Sequence, residues 1–226
     1  MASPRSRKAA GPQAPLFDFD DGVLDDLPPG DEEALDDGPL DGVAYRDLVR
    51  GDWVIRAGDV IDGCRFDGVR ASAWTIRGAR LAETSIRRAD IPVVSAARSD
   101  ARDLIVSDSR LGSVDAFDAS WRCVRFVRCR LGFLNLRGAS LTDVAFDDCT
   151  IDELDLLDAK AHRVAFTSTT LGSLTVAGAT LTDVDLRGAE IREIVGLAGL
   201  RGATISDDQL RQMAPAFADL AGIEVL

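Results

Sequence analysis

Histidine and tyrosine each occur once in the 226 residues, and the four cysteines include no CxxC pair. With one histidine, His162, no side chain stands ready as its general acid–base partner. Cys64, Cys123, Cys129 and Cys149 lack a histidine spacing suited to zinc. No nucleophile–base pair, metal cluster or phosphate-binding loop is present, so the sequence predicts no enzyme, no cofactor and no metal. Nor is there an apolar run of the roughly 18 residues that a membrane-spanning helix needs, so no membrane partner is expected. Residues 1–15 carry Arg5, Arg7 and Lys8 without an apolar core behind them, unlike a secretory signal. A cytoplasmic protein with reduced thiols is expected.

The most informative absence is local. Between residues 61 and 200 there are 38 charged side chains, and none falls in either of two columns. One column is met by counting in fives from Ile61 through Phe66, Ala71 and Ile76 to Leu186 and Ile191; its 27 members are 22 large apolar residues and five alanines. The second lies two residues before each, small or apolar throughout: Cys64, Val69, Trp74, Ala79, Thr84 and onward to Val184 and Ala189. A period of five matches neither the 3.6 of a helix nor the 2.0 of a flat strand. It requires a repeat architecture in which each unit leans on its neighbours.

A period of twenty lies over the period of five. Phe126, Phe146 and Phe166 fall in one file, as do Val124, Val144, Val164 and Val184. Side chains twenty apart stack if one turn of a solenoid takes four pentads, one per side. The segments Thr75–Leu81, Asn135–Leu141 and Asp185–Ile191 resemble the A-(D/N)-L-x-x signature of pentapeptide-repeat proteins. The resemblance covers about residues 61–205. It implies an all-β fold, a right-handed quadrilateral β-helix of about seven coils, with a C-terminal capping helix. Valine and leucine often replace the alanine that the family prefers two residues before each centre, which suggests wider corners. Cys129 and Cys149 would stack one coil apart, roughly 4.8 Å by strand spacing, as small buried thiols in preference to a disulfide.

Four segments are expected. Residues 1–41 read as a disordered acidic arm, because Asp18 to Asp41 holds eleven acids and no base; Leu16, Phe17 and Phe19 are its candidate anchors. Residues 42–60 read as an N-terminal cap, 61–205 as the β-helix, and 206–226 as a helix and lid. Ser206 and Gln209 form a capping box. The helix it opens carries Leu210, Met213 and Phe217, candidates for a lid contact or for a homodimer contact of the kind the family makes through its C-terminal helices.

Net charge is −12, yet the coils 61–200 carry 20 acids against 18 bases, so the acidity belongs mainly to the arm. Two bands stand out. Residues 121–140 hold Arg122, Arg125, Arg128, Arg130 and Arg137 without an acid. Residues 141–160 hold Asp143, Asp147, Asp148, Asp152, Glu153, Asp155 and Asp158 with only Lys160 against them. The acidic band is the candidate interaction surface. Mutual neutralisation between adjacent coils is the favoured account of both bands, because they are adjacent and nearly cancel, with Arg128 one turn from Asp148. The function expected is a non-enzymatic scaffold for an unknown protein partner. The alternative implied by the resemblance is a DNA mimic that binds DNA gyrase or another type II topoisomerase and protects against quinolones. Near-neutral coils speak against that alternative, and an acidic chain speaks against direct nucleic-acid binding.

Overall fold

The computed structural model describes residues 11–36 and 38–225. The coil that begins at Ser120 shows how the pentads fold. Strand Ser120–Val127 crosses two sides, bending at Cys123 with φ of 55°, and strand Arg130–Asn135 makes the third side. The fourth is a tight turn closed by Ala139 N–H on the Leu136 carbonyl at 3.1 Å. Each strand pairs in parallel with the equivalent strand twenty residues on, so that Phe126 faces Phe146 and Phe146 faces Phe166. The long strands build an eleven-stranded sheet and the short ones an eight-stranded sheet. The result is a parallel β-solenoid of about eight turns closed by one helix.

Corners are made by residues in the left-handed region. Fifteen non-glycine residues among those described have φ between 42° and 57°, and eight of them are aspartate. Aspartate tolerates this conformation because its short side chain bonds locally to the backbone. Gly78, Gly138 and Gly178 take the equivalent turn position at φ of 65° to 67°, as a type II turn asks of its third residue. Gly188 answers a different need: a Cβ there would lie 2.2 Å from the Phe166 carbonyl oxygen.

Both predicted columns point inward. Phe126, Phe146 and Phe166 stack with centroids 5.2 and 5.1 Å apart and planes 8° from parallel. At the other end Trp53 stacks on Trp74 at 4.6 Å. Where the column holds Ala96 and Ala101, the core keeps an apolar void of about 50 Å³. Polar members of the second column form a ladder. Ser109, Cys129, Cys149 and Thr169 donate to backbone carbonyls around one corner, among them Ser107, Val127, Asp147 and Thr167. All four cysteines are free. The hydrogen bond with Cys129, and burial after it, push the Cys149 thiol up, so it stays protonated and inert.

The N-terminal end departs from expectation. Residues 40–55 form one more coil, where a cap over 42–60 and about seven coils were expected. Its register is 21, with Leu40 opposite Ile61, Tyr45 opposite Phe66 and Trp53 opposite Trp74. An extra residue between Ile55 and Val60 shifts the frame by one, and the count in fives loses step there. Residues 24–36 close this end instead. Leu35 is buried on the core, Pro29 bridges to Ala44, and the Tyr45 hydroxyl donates to the Asp31 carbonyl. At the other end helix α1 (Asp207–Leu220) opens with the expected capping box and runs on through Pro215. Gln209 is buried, and its Nε2 donates to the Leu186 and Ala189 carbonyls at 2.7 Å each. The Leu186 carbonyl also accepts the Ala189 N–H within its own turn, and the Ala189 carbonyl faces the open end of the last coil.

Two core substitutions should behave in opposite ways. Phe146→Ala removes the middle ring of the stack and should lower unfolding free energy by about 3–5 kcal/mol. Ala101→Val grows into the void and should leave the urea midpoint unchanged or raise it, by at most about 1 kcal/mol. An unshifted midpoint for Phe146→Ala would refute the weight given to the stack.

Candidate functional site

Phe17-Asp18-Phe19-Asp20 alternates aromatic and acid, and an extended chain sends alternate side chains to opposite faces. Phe17 and Phe19 are half-buried against the coils, whereas Asp18 and Asp20 are exposed. The segment from Gln13 to Asp25 runs as a strap along the long-strand side and crosses the coils in reverse order. Gln13 N–H donates to Asp183 at 3.2 Å and Leu16 N–H to Asp143 at 2.9 Å. The Arg125 guanidinium lies 5.1 Å from the centroid of the Phe17 ring. Asp21 accepts from Ser85 Oγ at 2.6 Å and from Arg87 at 2.6 and 2.9 Å. Asp25 pairs with Arg65, whose guanidinium is nearly buried.

This order replaces the disorder expected of residues 11–36. A one-signed charge run reads as solvated when its partners are invisible. Here they are Arg65, Arg87 and Arg125, scattered through the chain and brought to one side only by winding. Leu16, an expected anchor, is exposed, and Phe17 and Phe19 make the contact. Residues 1–10 of the expected arm lie outside the described residues.

Two carboxylates where strap and coils meet are shifted downward, Asp21 of the strap and Asp143 of the coil. Burial pushes the Asp21 carboxyl up, but the Ser85 hydroxyl and Arg87 guanidinium more than offset it, leaving the group below the usual carboxylate range. Asp143 is similar: burial raises it, while Arg163 and the Leu16 N–H bring it below its ordinary value. Ser85, Ser107 and Ala145 are buried on the side where the strap lies.

The seven acids of the 141–160 band do not form one face. Asp143 is buried at a left-handed corner and bound by both branches of Arg163 at 2.6 Å. Asp147 pairs with Arg125 at 3.1 Å. Asp155, also buried, pairs with Arg137 at 2.6 Å and accepts the Leu157 N–H. Asp148 and Asp158 are exposed corner residues with φ of 53° and 56°. Asp152 and Glu153 are exposed on the short-strand side. The band therefore wraps one coil. Arg128 pairs with Asp108 through two bonds of 2.6 and 2.9 Å, not with Asp148, because its side chain turns toward the preceding coil. His162 faces outward, half-buried beside Arg163.

On α1, Met213 and Phe217 pack against the end of the core and Leu210 turns outward, 50% exposed. Among the described residues no group of three or more His, Cys, Asp or Glu is placed to hold a metal ion. No described helix is long and apolar enough to cross a membrane.

Residues 119–195 match the family described as pentapeptide repeat region, and the coils before them share the twenty-residue strand register. This stretch is a pentapeptide repeat region. No curated protein matches the chain. Among solved structures it is similar to two trypsin-treated forms of QnrB1, described as a plasmid-mediated fluoroquinolone resistance protein. The first is 16% identical, with a TM-score of 0.38 over 84% of this chain and 92% of the other. The second is also 16% identical, with a TM-score of 0.37 over 80% and 99%.

The strap should respond to acid before the coils do. Asp21 is lower docked than free, and the Leu16 N–H adds to the lowering that Arg163 already gives Asp143. Their contribution to docking is therefore full above the free aspartate value of about 4 and is lost as pH falls through the depressed values. NMR should show the Gln13–Asp25 amides steady from pH 8 to 5 and moving to free-chain shifts as the pH falls below the free aspartate value, with the coil amides still dispersed. Strap amides that stay docked at pH 2 would contradict this account.

Proposed function

We propose that this protein is a non-enzymatic pentapeptide-repeat scaffold that binds another protein through the outside of its coils. The observation that supports it is the disposal of side chains. The inward columns are consumed by the core, and what remains outside is a set of flat, regular sides carrying fixed charges. About eight coils at the strand spacing give a rod of roughly 38 Å. Asp148, Asp152, Glu153 and Asp158 are the part of the acidic band exposed enough to meet a partner.

A second role is favoured by the strap. The coils are close to neutral, but the strap over residues 13–25 adds four acids and no base along one side of the rod, and residues 26–36 add five more acids at its N-terminal end. A one-sided negative field is what a DNA mimic presents to a protein that binds duplex DNA. We therefore keep a type II topoisomerase such as DNA gyrase as the candidate partner. The protein should inhibit supercoiling by purified gyrase at low micromolar concentration. Asp18→Asn/Asp20→Asn/Asp26→Asn, which alters only exposed acids, should weaken inhibition about tenfold or more. No inhibition by the wild type removes the topoisomerase role and leaves the scaffold. The scaffold itself fails if photo-crosslinkers at Asp148, Asp152 and Asp158 give no discrete adduct in a cell extract.

The lid end is the candidate homodimer contact. Val195, Leu210, Leu220, Ile223 and Val225 are exposed there, and a second copy would cover them. Sedimentation should give a dimer for the wild type and a monomer for Leu210→Glu. A wild-type monomer at tens of micromolar would end the idea.

A further inference from the structure

The strap occupies a surface that has the features of a peptide site. Beneath it lie guanidinium groups from three separate coils, Arg65, Arg87 and Arg125, with the small side chains of Ser85, Ser107 and Ala145 among them. The surface reads main chain as well as side chains: Asp143 and Asp183 each accept a strap N–H. The strap adds no strand to either sheet, so register does not hold it.

The fit is also incomplete. A cleft of about 520 Å³ remains between strap and coil, lined by Phe17, Phe19, Ile105, Ser107, Arg125 and Val127. Ile105 and Val127 are apolar residues on the outer side of the coils that face this cleft. Arg125 offers a second sign: its Nε is buried and, among the described residues, has no acceptor. A buried donor without an acceptor is uncommon in a finished contact. A better occupant would bring an acceptor to Arg125 and more apolar surface to the cleft.

We propose that this side of the solenoid is a docking groove for an extended acidic segment of a partner protein, with an aromatic residue about four positions before a carboxylate, and that the strap is its cis occupant. The aromatic seats against Arg125 and beside Ile105 and Val127. The carboxylate takes the place of Asp21 between Ser85 and Arg87. Main-chain N–H groups reach Asp143 and Asp183. A tethered strap competes at an effective concentration in the millimolar range, so a partner must either fit better or meet a protein whose strap has been released. The groove rests on the scaffold role above and is independent of the topoisomerase role, which uses the strap's outer acids.

The test uses the full chain and a fluorescent peptide with the sequence of residues 12–26. In Phe17→Ala/Asp21→Asn the strap is weakened and Asp20 still caps its turn. This variant should bind the peptide at least about tenfold more tightly than the wild type. Adding Arg87→Glu and Arg125→Glu should abolish binding, and a scrambled peptide of the same composition should not bind. The groove is overturned if the released variant melts like the wild type yet binds no peptide. Equal binding to the scrambled peptide, or indifference to the arginine changes, overturns it equally. Should the released variant fail to fold, millimolar peptide added to the wild type must move the Gln13–Asp25 amide resonances, and unmoved resonances count against the groove.

Discussion

Stacking at one coil spacing is the constraint on which the structure depends. From Ile61 to Ile194 each inward side chain lies over the one twenty residues away in the neighbouring coil, at the distance that separates hydrogen-bonded strands. A charge in such a file would be desolvated with no room for a counter-ion, which is why none occurs in either column. A ring stacks best on a ring and a β-branched side chain on its like, hence the files of Phe126, Phe146 and Phe166 and of Val124, Val144 and Val164. The same spacing repeats the corners. The backbone turns at fixed places, and these places take glycine, or aspartate that accepts positive φ. Several acids that look like a surface signal, Asp143, Asp148 and Asp158 among them, hold positions that the turn geometry alone accounts for.

A solenoid has two ends where stacking stops, and each is closed by residues that satisfy backbone as well as cover core. Gln209 does both at the last coil, since the helix that brings Met213 and Phe217 onto the core is anchored through its two hydrogen bonds to Leu186 and Ala189. Leu35 and the Pro29–Ala44 bridge do so at the first. Function is left to the outside, where neighbouring coils neutralise one another through pairs such as Arg125–Asp147 and Arg137–Asp155. The more exposed pairs, such as Arg128–Asp108, contribute about 0–1 kcal/mol each. Their consequence is for the electrostatic field: the coils cancel, and the strap gives one side of the rod its sign.

The coils were legible because their period is carried by residue type. The capping box at Ser206 was legible because it is a local pattern. The coil over residues 40–55 was missed for a countable reason, one extra residue before Val60 that moves Leu40, Tyr45 and Ile55 out of frame with Ile61, Phe66 and Ile76. Read with a shift of one, the pentads continue through Leu40, Tyr45 and Ile55, and only Arg50, opposite Ala71, breaks the apolar column. The docking of the strap had weaker signals: the alternation of Phe17 and Phe19 with acids, and the arginines at 65, 87 and 125. Nothing in the chain order links these two sets, which lie 45 to 108 residues apart.

Sequence alone therefore determined what repeats: the solenoid, the inward columns, the exclusion of charge from them, and the terminal helix with its cap. These depend on contacts between residues at fixed separations, and a fixed separation is visible in a linear chain. Tertiary structure alone decided which charges meet. Arg128 turns to Asp108 instead of Asp148, and Asp21 finds Ser85 and Arg87 from 64 and 66 residues away. Long flexible side chains and an extended strap choose partners by proximity in space, which winding creates and residue order does not record.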